Sequence, residues 1–174
     1  MSLPQLFMRH PDITQVPPIH LPEGITLCKH REGEEKEWEE LIKRSFQTSY
    51  SFDTFIRNGG DYKPEHVLYL RENNKAIATI TAVEKADFPG EGWFRMVGVD
   101  PECRKRGLGR LITLAALHDL CRRGYRTAVL STDDERLPAI KLYLSIGFRP
   151  LMTHESHPER WQKLGWNEKG GVLC

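Results

Sequence analysis

The run Val97-Gly98-Val99-Asp100-Pro101-Glu102-Cys103-Arg104-Lys105-Arg106-Gly107-Leu108-Gly109-Arg110 reads as a strand, a short turn and a glycine-rich opening of a helix. The first N–H groups of a helix have no intrahelical partner, and that end carries a partial positive charge. Gly107 and Gly109 remove side chains that would hold an anion away, and Arg104, Lys105, Arg106 and Arg110 add charge around the same point. This is the chemistry of a phosphate cradle. A solvated basic turn with glycines at a helix start is the plainer reading. The run is not a Walker loop, because no Gly-Lys-Ser/Thr follows, and it lacks the third glycine of a dinucleotide fingerprint.

A second group with chemistry lies downstream. Ala139-Ile140-Lys141-Leu142-Tyr143, followed by Gly147-Phe148, places Tyr143 on the apolar face of a helix. A buried tyrosine usually finds a partner for its hydroxyl, so Tyr143 is either a core residue or a positioned proton donor.

Together the two segments resemble the GNAT superfamily of acyl-CoA-dependent N-acyltransferases. Arg104-Lys105-Arg106-Gly107-Leu108-Gly109 is similar to its Q/R-x-x-G-x-G/A motif, and Ala139 to Tyr143 with Gly147-Phe148 to its A-x-x-L-Y…G-F motif. The likeness is specific over 93–150, weaker over 24–92, and absent from the residues before. It implies an N-acetyltransferase that moves an acetyl group from acetyl-CoA to a primary amine of a small molecule or a protein, by direct attack in a ternary complex. A non-catalytic acyl-CoA-binding or sensor domain is the competing reading. The resemblance implies that pantetheine pairs with the backbone of Val97, Gly98 and Val99. It implies that pyrophosphate meets the N–H groups of Lys105, Arg106, Gly107, Leu108, Gly109 and Arg110, near the Arg104 charge. It makes Tyr143 the group that protonates or orients the departing thiolate. A phenol of pKa near ~10 protonates a thiolate of parent pKa about 8.5 only with help from the site, so hydrogen bonding alone is the milder role.

The acceptor amine must lose a proton, and the family often uses a Glu on or beside the strand for this. Trp93 to Val99 holds no carboxylate. Glu84, at the end of the preceding strand, is the first candidate, His154 the second, and deprotonation through water the third. A backbone N–H near Val97 is a candidate donor to the thioester oxygen. Arg136 stands where the family often has Asn. It either meets phosphate or pairs with Asp133, Asp134 and Glu135. Phe46 to Asp61 and His154 to Trp161 correspond to segments that tend to line the acceptor side.

These residues need elements to position them. Strands are expected at 25–28, 66–71, 76–84, 93–99, 127–131 and 148–153. Helices are expected at 34–46, 53–57 (stopped by Gly59-Gly60), 107–123 and 137–146, with a helical turn at 158–163. Phe88-Pro89-Gly90 reads as a turn. The result is an α/β (α+β) fold with a mixed central sheet. Its first half is antiparallel, its strands at the cofactor site are parallel and splayed, and helices flank it. Residues 1–23 hold Pro4, Pro11, Pro17, Pro18 and Pro22 and read as a proline-rich arm that wraps the surface, anchored by Leu6-Phe7-Met8. Residues 24–174 read as a single catalytic domain.

The 174-residue length fits that count. A net charge of +1 over the whole chain argues against a nucleic-acid partner, and no apolar run is long enough to span a membrane. The start shows no secretory pattern, so the cytoplasm is expected. Cys28, Cys103, Cys121 and Cys174 are scattered and read as free thiols, and His154-Glu155-Ser156-His157 lacks a metal-binding helical pair, so no metal is expected. The resemblance also allows a homodimer. The small net charge conceals polarity. Residues 32–40 carry six Glu and one Lys, whereas 103–127 carry seven Lys or Arg and one Asp.

Overall fold

A computed structural model describes residues 3–58 and 61–166. Gly59-Gly60 and Cys174 lie outside them. Among the described residues, seven strands form one sheet: β1 (Leu6–His10), β2 (Ile25–Lys29), β3 (Val67–Glu72), β4 (Lys75–Lys85), β5 (Phe88–Val99), β6 (Ala128–Thr132) and β7 (Arg149–Leu151). The order across the sheet is β2-β3-β4-β5-β6-β1-β7. Every neighbouring pair is antiparallel except β5–β6. Helices α1 (Glu35–Phe46), α2 (Leu108–Arg122), α3 (Leu137–Ile146) and α4 (His157–Lys163) flank the sheet, and Asp53–Arg57 forms a π-helical turn.

Helix α1 has Glu35 and Glu37 in its first turn and Lys43 and Arg44 in its last, matching the helix dipole. Trp38, Leu41 and Ile42, at helical spacing, bury one stripe against β4 and β5, in a cluster that also takes in Val67 and Tyr69 of β3. On the other side of the sheet, Ile112, Ala116 and Leu120 of α2 pack with Ile140, Tyr143 and Ile146 of α3 against Ile80 and Phe94. All eight residues from Ala76 to Val83 are buried, because helices or side-chain clusters cover β4 on both faces.

Two expectations fail for identifiable reasons. Residues 6–10 do not wrap the surface. They form β1, inserted between β6 and β7. Pro4 and Pro11 flank this stretch rather than interrupt it, and Leu6, Met8 and His10 alternate inward. Nor is Phe88-Pro89-Gly90 a separate turn. The chain reverses at Ala86-Asp87, and β5 begins at Phe88 with a register shift between Glu84 and Lys85. The stacked rings of Phe88 and Trp93, with centroids 5.6 Å apart, hold this irregular end.

The chain leaves α3 through Gly147 at φ 121°, and a Cβ there would lie 2.6 Å from Nε2 of buried His10. The His10 ring also contacts the Ile146 carbonyl at 3.2 Å. Gly147→Ala is therefore expected to cost about 2 kcal/mol, combining positive-φ strain with overpacking. That corresponds to a fall of about 4–8 °C in Tm for a chain of this size, checked by thermal denaturation.

Candidate active-site cleft

Strands β5 and β6 pair only at Gly92–Ala128, Trp93–Val129 and Phe94–Leu130. Past that point they separate. Ser131 and Thr132 stay with β1, while Arg95, Gly98 and Val99 pair with β4. Where β4 advances two residues, from Thr79 to Thr81, β5 advances three, from Gly98 to Arg95. The extra residue forms a bulge at Met96, whose φ is +49°. A bulge both bends the strand and frees backbone groups from the ladder. The edge of β5 that faces β6 is thus open from Arg95 to Val99.

A cleft of about 670 Å³ occupies this separation. Trp93 to Val97 form its floor, Phe46, Tyr50 and Phe55 one wall, and Ala139 and Tyr143 of α3 another. The ring of Tyr143 packs on Phe148 at 5.8 Å. Burial pushes its phenol up to about 12, against a smaller opposing effect of the Arg136 charge. Tyr143 is therefore a neutral O–H donor throughout the neutral pH range.

Val99 leads directly into Asp100 and the basic turn. Asp100 is fully buried and accepts from the Glu102 N–H (3.1 Å) and from Arg44 Nε (3.0 Å), with Lys75 at 3.5 Å. This carboxylate ties the turn to α1 and β4. Burial favours its neutral form, but the Glu102 N–H and the Arg44 and Lys75 charges outweigh burial and hold its pKa below the ordinary value. The stabilisation is present above the unfolded aspartate pKa of about 3.9 and is lost as pH falls through the lower folded value. Asp100→Asn is expected to lower stability by about 2 kcal/mol at pH 7, and the gap to the parent should narrow as pH falls below about 4. Denaturant titrations across that range check it.

Lys105 (φ +62°) and Gly107 (φ +75°) take left-handed conformations that turn the chain into α2. The Leu111 N–H donates to the Gly107 carbonyl at 3.0 Å, so the N–H groups of Leu108, Gly109 and Arg110 lie ahead of the helical ladder. The basic side chains behave differently from the sequence expectation. Arg104 donates to the Ser45 carbonyl, Arg106 makes two hydrogen bonds to Glu72 (2.6 and 3.1 Å), and Arg110 reaches the Ser145 hydroxyl at 3.4 Å. The side chains of Arg104, Arg106 and Arg110 are thus engaged by protein groups, whereas the backbone N–H groups of Leu108, Gly109 and Arg110 have no intrahelical partner. Gly98 has a packing reason as well. A Cβ there would lie 2.9 Å from Ile42 Cδ1, so glycine lets α1 lie close against β5.

The remaining predicted residues separate. Glu84 lines the cleft, and its carboxylate accepts from the Tyr125 hydroxyl at 2.9 Å. His154 is exposed, contacts the Ser156 hydroxyl at 2.9 Å and does not line the cleft. Arg136 follows the carboxylate alternative, with Nε 3.1 Å from Asp133, and lies 4.6 Å from the centre of the Phe46 ring. Of the two acceptor segments, the first contributes Phe46, Tyr50 and Phe55, whereas His157 and Trp161 of the second are buried in the body of the protein. Sequence reasoning missed Arg95, Lys85 and Phe7, which also line the cleft. Strand alternation puts Arg95 on one face with Trp93, a signal that was available. Phe7 depends on the insertion of β1, for which no local signal exists.

Residues 34–148 match the family model described as the acetyltransferase (GNAT) family. Over 156 residues the chain is 35% identical to a mycothiol acetyltransferase of Thermobispora bispora, covering 81% of this chain and 52% of that protein. Among solved structures, a GCN5-related N-acetyltransferase from Sphaerobacter thermophilus superposes with a TM-score of 0.69 at 27% identity, over 86% of this chain and 50% of that one. The ribosomal-protein-S18-alanine N-acetyltransferase of Escherichia coli gives a TM-score of 0.61 at 25% identity, over 71% and 76%. The chain spans about half the length of the curated relatives it matches.

Proposed function

The chain belongs to the acetyltransferase (GNAT) family, and from that premise we propose that it moves an acetyl group from acetyl-CoA to a primary amine of a small molecule or a protein, by direct attack in a ternary complex. The observation that carries the reading is the continuity of one path. The open edge of β5 past the Met96 bulge runs into the N-terminus of α2, and Tyr143 stands on the same cleft.

The residues fit the donor. An extended chain with amide groups suits the unpaired edge at Val97, Gly98 and Val99, and a pyrophosphate suits the N–H groups of Lys105 to Arg110. Acetyl-CoA supplies the thioester. The amine nitrogen bonds to the acetyl carbon as the carbon–sulfur bond breaks, yielding an amide and the thiol of CoA. The Val97 N–H beside the bulge stabilises charge developing on the carbonyl oxygen. The Tyr143 hydroxyl donates to the departing sulfur. With its pKa near 12, this phenol acts first as a hydrogen-bond donor. The proton lost by the amine passes to water and on to Glu84, which lines the cleft. His154, outside the cleft, is the weaker choice.

The mycothiol of the relatives' name belongs to proteins about twice this length, so the acceptor proposed for this chain stays at the class of primary amines. We place the enzyme in the cytoplasm, a setting that suits its free Cys28, Cys103 and Cys121. Mixing the protein with acetyl-CoA and an amine library, and following free thiol, tests the activity. Release above the hydrolysis background with at least one amine is expected, and none with any amine would sink the proposal.

A further inference from the structure

The charged side chains along the cleft are already engaged within the protein. Lys85 pairs with Asp87 at 2.9 Å and Arg136 with Asp133 at 3.1 Å. Asp133 also accepts from Gln5, Glu84 accepts from Tyr125, and Arg95 has a protein partner as well. The apolar side of the cleft is different. In the segment after α1, Phe52 and Ile56 turn into the core, whereas Tyr50 and Phe55 stay half-buried and line the cleft. Their rings meet edge to face with centroids 4.7 Å apart, and Phe46 adjoins Tyr50 at 6.1 Å. Met96, the bulge residue, packs into the same cluster, so this aromatic wall stands beside the point where β5 opens. The rings of Phe46 and Trp93 already carry cations, Arg136 at 4.6 Å and Lys85 at 4.5 Å. Tyr50 and Phe55 are thus the rings best placed to take a further one.

We infer that the acceptor is an arylalkylamine, an aromatic ring joined to the amine by a short alkyl arm, and that Tyr50 and Phe55 recognise the ring. This rests on the proposed acetyl transfer and narrows its acceptor. Aromatic rings attract one another edge to face or offset, at centroid separations of about 4.5–7 Å, and a third ring extends the geometry of the Tyr50–Phe55 pair. Seating it also removes apolar surface from water on both partners. The wall adjoins Met96, so a ring held there brings an amine on a short arm toward the thioester, whose oxygen meets the next residue's N–H. Ring contacts, rather than an ion pair, select the acceptor.

Calorimetry on the CoA-saturated protein separates this from the transfer reaction. 2-Phenylethylamine and 2-cyclohexylethylamine serve as probes, alike in arm and charge but differing in the π face. The phenyl compound is expected to bind at least about threefold more tightly. Tyr50→Leu, which keeps apolar bulk and loses the ring, should erase that difference and leave CoA affinity unchanged. If that variant does not fold, Phe55→Leu carries the same expectation. Equal binding of the two probes, tighter binding of the cyclohexyl compound, no binding of 2-phenylethylamine at about 10 mM, or a preference unchanged in the foldable variant would each overturn the inference. Thiol release from acetyl-CoA is read separately. A phenyl preference without thiol release from any amine would refute acetyl transfer and leave ring recognition standing, whereas thiol release with no phenyl preference would do the reverse.

Discussion

Gly109→Glu is expected to abolish coenzyme A binding, weakening it by at least about 100-fold, while leaving the fold intact. The expectation combines two observations. A Cβ at Gly109 would lie 3.2 Å from the flexible end of Leu142 and 3.9 Å from Val99, a tight but adjustable contact. A glutamate in the first turn of a helix is favourable to the helix itself, because it complements the dipole. Stability should therefore change little. The same carboxylate would compete for the N–H groups that a pyrophosphate needs and would repel its charge. Gly109→Ala, with the same Cβ and no charge, separates crowding from repulsion and should lose far less. Calorimetric titration with CoA, paired with a melting curve for each variant, checks this. Unchanged affinity in Gly109→Glu would mean that the phosphate lies elsewhere.

The second large effect concerns Tyr143→Phe. Its ring would keep its contact with Phe148, so folding and CoA affinity should be preserved. Only the hydroxyl is lost. A general acid, or a donor to a developing thiolate, typically contributes 10²–10⁴-fold, so kcat should fall by about 100-fold or more with little change in KM for acetyl-CoA. Because burial holds the phenol near 12, the parent enzyme should show no loss of rate from tyrosine ionisation below about pH 11. A Tyr143→Phe enzyme with full kcat would reduce the residue to packing.

Much of this arrangement is legible in the chain because it is local. The stripes of α1, α2 and α3 follow helical spacing, and their bounds agree with the periodicity within a residue or two. The glycine-rich turn is legible for the same reason: helix ends, glycine and charge act within one short segment. Other features depend on distant partners. β1 pairs Leu6 with Thr132, and the prolines around it suggest an arm rather than a strand. Nothing near Met96 announces a left-handed residue, since glycine is the usual occupant and Gly98 lies two positions on. The bulge is visible only when the β4 ladder is counted against β5. The partners of Arg104 and Arg106 are likewise non-local, so the sequence exposes their charge but not the neutralising Glu72. Glu84 remains the first candidate base because Trp93 to Val99 carries no carboxylate and Glu91, earlier on β5, is paired with Arg9 at 2.7 Å. Its hydrogen bond to Tyr125 joins β4 to the segment after α2, a partner distant in sequence that no local pattern encodes.

The central claim is that the donor lies along the open edge of β5 and ends on the N–H groups before α2. Backbone-resolved NMR titration with CoA tests it most directly. The largest shifts are expected at the amides of Val97, Gly98 and Val99 and at those from Lys105 to Arg110, saturating together at a single affinity. Silence at those amides, with saturable shifts elsewhere, would contradict it.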